Sequence, residues 1–218
     1  MQKLPGLIEI QNNISELTIW DALVSILGDK KGILGYQFPS VGVVNTSDIP
    51  TFIIRSEEIG IIILNVVDKT IVEFLEDEFW KTSDGEEIYS PDIILTNFSQ
   101  EIKNRLSKDS LLYDRKQQKL LFNIRQFLIF SKNTKAEIES VTGLVDNLIN
   151  EYIVTDEFDT RLNTILNEEY KIESNLMSLI DSLLEGTDSY NKSRREKSVL
   201  EPKTIQEYIK KSVILNLV

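Results

Sequence analysis

The chain has 218 residues, enough to bury a full core, and its 35 acidic against 24 basic side chains leave a net charge of -11. The surface as a whole therefore repels phosphate, and a general DNA-coating role is excluded. With no cysteine and no histidine, the chain has no disulfides, no thiolate or imidazole metal ligands, no cysteine nucleophile and no histidine-based triad, which leaves carboxylates, lysine and tyrosine for any chemistry.

Residues 1–13 are polar around Pro5-Gly6 and read as an irregular lead-in. Ile14, Leu17, Ile19, Trp20, Leu23, Ile26 and Leu27 then recur at helical spacing and Gly28 supplies a stop, so a helix is expected over 14–27 with Glu16 and Asp21 on its polar face. Short apolar runs at 33–38 and 41–44, set among glycines and prolines, predict one or two strands and tight turns. The stretch from Asp48 to Asp68 organises the rest. Its two β-branched runs, 52–55 and 59–67, are joined by Ser56-Glu57-Glu58 ahead of Gly60 and predict a hairpin buried in a sheet. Residues 70–75 alternate as another strand, and 76–87 read as an acidic loop containing Trp80 and a Ser83-Asp84-Gly85 turn. Ser90-Pro91-Asp92 opens a helix that Ile94, Leu95, Phe98 and Ile102 carry to Leu106, and 119–130 reads as one apolar central strand.

The pattern changes near Asn133. From there to Leu184 the spacing is helical apart from a strand-like run at 152–154, and stripes such as Leu162, Ile165 and Leu166 need a partner surface. Residues 186–203 read as a polar linker before a last helix over 204–217, and the apolar ending VILNLV carries the expectation of a further domain. No apolar run approaches the roughly 18 residues of a membrane span, no apolar leader is seen and no GxxxxGK[ST] loop occurs, so the expected setting is cytoplasmic, without membrane contact or an NTPase site.

The order and spacing of these elements over about residues 14–133 resemble the nuclease-related domain (NERD) branch of the PD-(D/E)XK fold, in the form found at the front of bacterial superfamily 1 (UvrD-like) helicases. The helix Glu16-Leu-Thr-Ile19-Trp-Asp-Ala-Leu23 matches the family's Glu helix. Thr51-Phe-Ile-Ile-Arg55 stands where a strand opened by an acid is expected, and Gly60-Ile-Ile-Ile-Leu-Asn65-Val-Val67 stands for the strand that carries Glu and Lys. Trp80, Asp84-Gly85 and Pro91 resemble the region after that strand, although Ile94 replaces a frequent Gln, and Phe127 to Asn133 resembles the late apolar strand. The resemblance implies a restriction-endonuclease-like α/β fold, a mixed sheet of four to five strands with flanking helices, followed by a helical extension.

In such a nuclease the Asp and the Glu bind a divalent metal, and the Lys two residues after the Glu activates water or holds phosphate. The corresponding positions here are Thr51, Asn65 and Val67, with Glu16 either a vestigial helix ligand or, as its place after Ser15 in the first helical turn favours, a capping or dipole residue. Neutral oxygens supply little of the charge that holds magnesium, so the expectation is a catalytically silent pseudo-nuclease with no catalytic residue, no metal and no cofactor. It would serve as an accessory or interaction domain at the front of a DNA helicase-type protein, with a downstream helicase domain or a protein as partner. Two alternatives stand beside this reading. One is a magnesium-dependent nuclease with ligands relocated to Glu16, Asp48 and Lys69; the other is a purely helical protein–protein interaction module. DNA contact is expected from a local basic strip, Lys103, Arg105, Lys108, Arg115, Lys116 and Lys119, with Arg125 beyond it; a second basic cluster around Arg194-Arg195 reads as a charged connector. The expected organisation is a nuclease-related domain over 1–133, a helical extension over 134–185, and a linker with a C-terminal helix over 186–218.

Overall fold

The computed structural model of the chain describes residues 2–3, 13–28, 30–36, 49–75 and 78–184. Strand β1 (Gln2–Lys3) comes first. Asn13 then caps helix α1 (Ile14–Leu27), its side chain accepting from the Glu16 backbone N–H at 3.1 Å, and Gly28 closes it by donating to the Val24 carbonyl. Gly32 turns the chain into β2 (Ile33–Tyr36) with φ of 147°; a Cβ there would lie 2.2 Å from the Arg55 carbonyl oxygen, so only glycine fits.

The predicted hairpin is β3 (Phe52–Ser56) and β4 (Gly60–Val67), paired antiparallel with Phe52 opposite Leu64 and Ser56 opposite Gly60. After it, β5 (Ile71–Phe74), β6 (Phe79–Thr82) and β7 (Glu87–Tyr89) form a small three-stranded sheet. Residues 76–87, expected as a loop, thus contain a strand and the start of another. Trp80 and Thr82 alternate inward while Phe79 and Lys81 stay outside, and Lys81 pairs across the ladder with Glu73 at 3.1 Å, so the charge that suggested a loop is the solvated face of a hairpin.

Ser90 caps α2 (Pro91–Leu106), accepting from the Ile93 N–H at 3.4 Å. The expected single strand over 119–130 divides. Lys119–Leu120 (β9) folds back on Tyr113–Asp114 (β8), in a turn where Asp114 accepts from the Lys116 and Gln117 N–H groups, and only Ile124–Phe130 (β10) enters the main sheet. Beyond it, α3 (Lys135–Ser140) carries a capping box between Thr134 and Glu137. Then come α4 (Leu144–Asn147), β11 (Glu151–Val154), α5 (Phe158–Asn167) and a last helix, α6, over residues 174–184. The strand-like run at 152–154 is β11, which lies in the main sheet beside β10. The run at 41–44 and the segment 186–218 lie outside the described residues.

The main sheet has six strands in the order β1-β2-β3-β4-β10-β11, β1 contributing two residues. Strands β2, β3 and β4 run as an antiparallel meander; β10 lies parallel to β4, and β11 parallel to β10. The fold is therefore α/β, a mixed sheet flanked by helices, consistent with the restriction-endonuclease-like class that the resemblance implies. The sheet overturns the purely helical alternative as a fold.

Both faces of the sheet are covered. Residues of β4 alternate between two cores: Ile61, Ile63 and Val67 pack with α2, Trp80 and α6, while Ile62 and Leu64 pack with α1 and α5. Trp80 stacks on Phe130 with centroids 5.8 Å apart, a contact worth about 0.5–1.5 kcal/mol beyond its area. Arg55, buried on the α2 side of β3, forms an ion pair at 2.9 Å with Asp181 of α6 and ties that helix to the sheet. No helix among the described residues is long and apolar enough to cross a membrane.

Candidate functional site

Strand register brings Thr51, Asn65 and Val67 to one face. Because Phe52 faces Leu64, Thr51 lies opposite Asn65, and both side chains point to the α2 face. The Thr51 hydroxyl donates to Asn65 Oδ1 at 3.3 Å and accepts from the Val66 N–H at 3.0 Å, while Asn65 Nδ2 donates to the Pro91 carbonyl at 3.0 Å. Val67 is on the same face, buried in the apolar core. Where the family resemblance leads one to look for charged ligands, this chain has a closed neutral network that fastens β4 to the first turn of α2. Its polar atoms serve one another.

Glu16 is not part of that group. It projects from α1 on the opposite sheet face, where Tyr36 Oη donates to its Oε2 at 2.5 Å. Burial pushes the Glu16 carboxyl above its usual range; the Tyr36 bond opposes the shift, and the negative charge of Asp68 adds to it. Asp68 follows Val67 and points to this second face, where Asn13 Nδ2 donates to it at 2.8 Å. The four positions matched to the family motif are thus divided, three on one face and one on the other.

Lys69 faces neither place. Its ammonium bridges Glu86 at 2.7 Å and Asp84 at 3.0 Å, and these bonds, Glu86 first, hold its pKa well above the ordinary lysine value. Asp84 in turn is held down at about 2, chiefly by the Thr82 hydroxyl and then by Lys69. Asp48, the third residue of the relocated-ligand alternative, lies outside the described residues. Among the described residues no group of three or more acids is gathered to hold a metal ion.

The basic strip separates into three places. Lys103 of α2 and Lys119 of β9 line one groove of 440 Å³ together with Gln100, Asn104, Tyr113 and Gln118. Arg105 and Lys108 line a different groove of 490 Å³, beside Glu101 and Asp109. Arg115 and Lys116 are exposed in the β8–β9 turn. Arg125 is a structural cation: it donates to the Ile59 carbonyl at 2.9 Å and the Ile165 carbonyl at 3.1 Å, pairs with Glu168 at 2.8 Å and lies 4.6 Å from the Tyr170 ring centroid.

Several polar residues of consequence escaped sequence reasoning. Asp92, 2 % exposed, is marked in the sequence only as part of the helix start Ser90-Pro91-Asp92. It accepts from the Ile149 N–H at 2.7 Å, the Asn150 N–H at 3.1 Å and Asn150 Nδ2 at 2.7 Å, fixing the approach to β11. Asn133 is fully buried; its side chain exchanges two hydrogen bonds with the Ile71 backbone while its carbonyl accepts from Thr155. No linear pattern marks either role, because each partner is remote in the chain. Comparison of the chain with protein-family models, with curated proteins and with solved structures finds no match.

Proposed function

We propose that the chain is a catalytically silent, nuclease-like module that works by binding, as an accessory or interaction domain of a DNA helicase-type protein in the cytoplasm. The observation that carries the reading is the Thr51–Asn65–Pro91 network, in which neutral side chains occupy the positions matched to the family acids and spend their polar atoms on each other and on the backbone. Such a network stabilises the end of the sheet without the like-charge strain that an empty carboxylate site carries. The fold is then free to serve as a docking body.

A magnesium-dependent nuclease with relocated ligands is the reading this one competes with, and its best support is the Glu16–Asp68 pair, two carboxylates close enough to perturb one another. One experiment separates the two. The protein is melted with and without millimolar magnesium or manganese, and incubated with plasmid and single-stranded DNA under the same conditions. The binding-module reading expects no metal-dependent rise in melting temperature and no cleavage. A metal-dependent rise together with nicking that Glu16→Gln abolishes would overturn it.

A further inference from the structure

The groove between α2 and the β8–β9 hairpin differs from the rest of this acidic surface. Its lining, which includes Gln100, Lys103, Asn104, Tyr113, Gln118 and Lys119, contains no carboxylate, in a chain whose net charge is -11. Two acids adjoin the lining in sequence: Glu101, next to Gln100, lines the neighbouring groove with Arg105 and Lys108, and Asp114, next to Tyr113, spends one carboxylate oxygen on the Lys116 and Gln117 N–H groups. Elsewhere Lys69, Lys81, Lys135, Arg161 and Lys171 each pair with an acid, whereas Lys103 and Lys119 have no ion-pair partner among the described residues. Two lysines from separate elements thus line one concavity without an ion pair, Asp114 lying opposite Lys119 across the β8–β9 ladder but outside the lining.

The remaining lining has its own chemistry. Side-chain amides from both walls offer donors and acceptors in pairs, and Gln100 Nε2 donates to Asn104 Oδ1 at 2.8 Å, which holds two of them in line along α2. Tyr113 supplies an aromatic ring at the hairpin side. Cations for phosphate, an aromatic surface for stacking and amides for base edges are the three contacts that an unpaired nucleotide makes and that a duplex, with its bases stacked inside, cannot offer to a recess. The groove volume of 440 Å³ lies within the range of ligand pockets, about 300–1,000 Å³.

We infer that this groove binds a short stretch of single-stranded nucleic acid, with Lys103 and Lys119 on adjacent phosphates and Tyr113 against a base. The inference rests on the reading that the domain acts by binding, and it sets Arg105 and Lys108, in their acid-bordered groove, outside the contact.

Fluorescence anisotropy of the full chain with a labelled oligothymidylate, and with a duplex of equal length, tests it. Single-strand binding should exceed duplex binding at least tenfold, and two phosphate contacts should give a slope of about -1.4 in log K against log salt. Lys103→Ala with Lys119→Ala should weaken binding at least tenfold and Tyr113→Leu about fivefold, while Arg105→Ala with Lys108→Ala stays within twofold of wild type. Circular dichroism spectra matching wild type establish that each variant is folded. The inference is overturned by absence of single-strand binding, by equal binding of duplex, or by a folded Lys103/Lys119 variant that binds as wild type does. It is also overturned if inorganic polyphosphate competes as well as the oligonucleotide and Tyr113→Leu is silent, since the groove would then recognise phosphate alone. Any of these outcomes leaves the silent-nuclease reading standing, whereas metal-dependent cleavage would remove that reading and leave the groove result untouched.

Discussion

Asn65 Nδ2 donates to the Pro91 carbonyl at 3.0 Å, joining the end of β4 to the first turn of α2. An aspartate in its place cannot donate while ionised, and it would set a buried charge against a carbonyl oxygen. Asn65→Asp should therefore lower stability at neutral pH by about 2–4 kcal/mol. The loss should shrink as acid protonates the new carboxyl and restores a donor. Urea unfolding at two pH values measures both effects, and a pH-independent loss would show that the contact with Pro91 is not the cause.

Arg55 and Asp181 form the ion pair that fastens α6 to the sheet, with Arg55 1 % and Asp181 29 % exposed. Neutralising Asp181 takes the counter-charge from a guanidinium held inside the fold, whereas removing Arg55 leaves a carboxylate that water reaches. Asp181→Asn should cost about 3–5 kcal/mol, and Arg55→Ala less, about 1–3 kcal/mol. Chemical denaturation ranks the two, and hydrogen exchange should report the first loss of protection in residues 174–184.

Asp92 collects three hydrogen bonds from residues 149 and 150 at the entry to β11. Asp92→Ala leaves those donors without their acceptor in a buried place, and the expected cost is about 3–5 kcal/mol. The exchange rates of the Ile149 and Asn150 amides should rise before those of β4 if the damage is local to that junction.

Glu16 binds its proton more tightly in the folded chain than an unfolded glutamate does, because burial and then the charge of Asp68 outweigh the Tyr36 bond. The contribution to stability is thus fully present below the ordinary glutamate range and is lost as pH rises through the elevated value. Glu16→Gln keeps an acceptor for Tyr36 and removes the charge. The variant should melt higher than wild type at about pH 7.5 and approach it at about pH 3, below the ordinary glutamate range. An unchanged difference across that interval would contradict the assignment.

Much of the frame was readable from the linear chain because its signals are local. The apolar period of 14–27 with its glycine stop, the β-branched runs around Gly60, and Ser90-Pro91 each specify an element within a few residues. The resemblance grouped Thr51 with Asn65, and the hairpin register brings the two side chains together. Glu16 was misgrouped with them because alternation along β4 tells which residues share a face but not which face a preceding helix crosses. The basic strip divides for a reason the sequence did contain: Lys103 and Arg105 are two residues apart on a helix, hence about 200° apart around its axis, and line different grooves. The partners of Arg55, Asp92 and Asn133 lie too far along the chain for any local pattern to announce them.

The parallel seam between β4 and β10 has a consequence for how the molecule comes into being. Antiparallel β2, β3 and β4 can zip as soon as they leave the ribosome, but β10 reaches β4 only after α2 and the intervening hairpins have been synthesised. Until then Ile61 and Ile63 lie on a strand with one bare margin, an invitation to the same margin of another nascent chain. A chain halted before residue 124 would carry that invitation permanently, and its fate would be clumping.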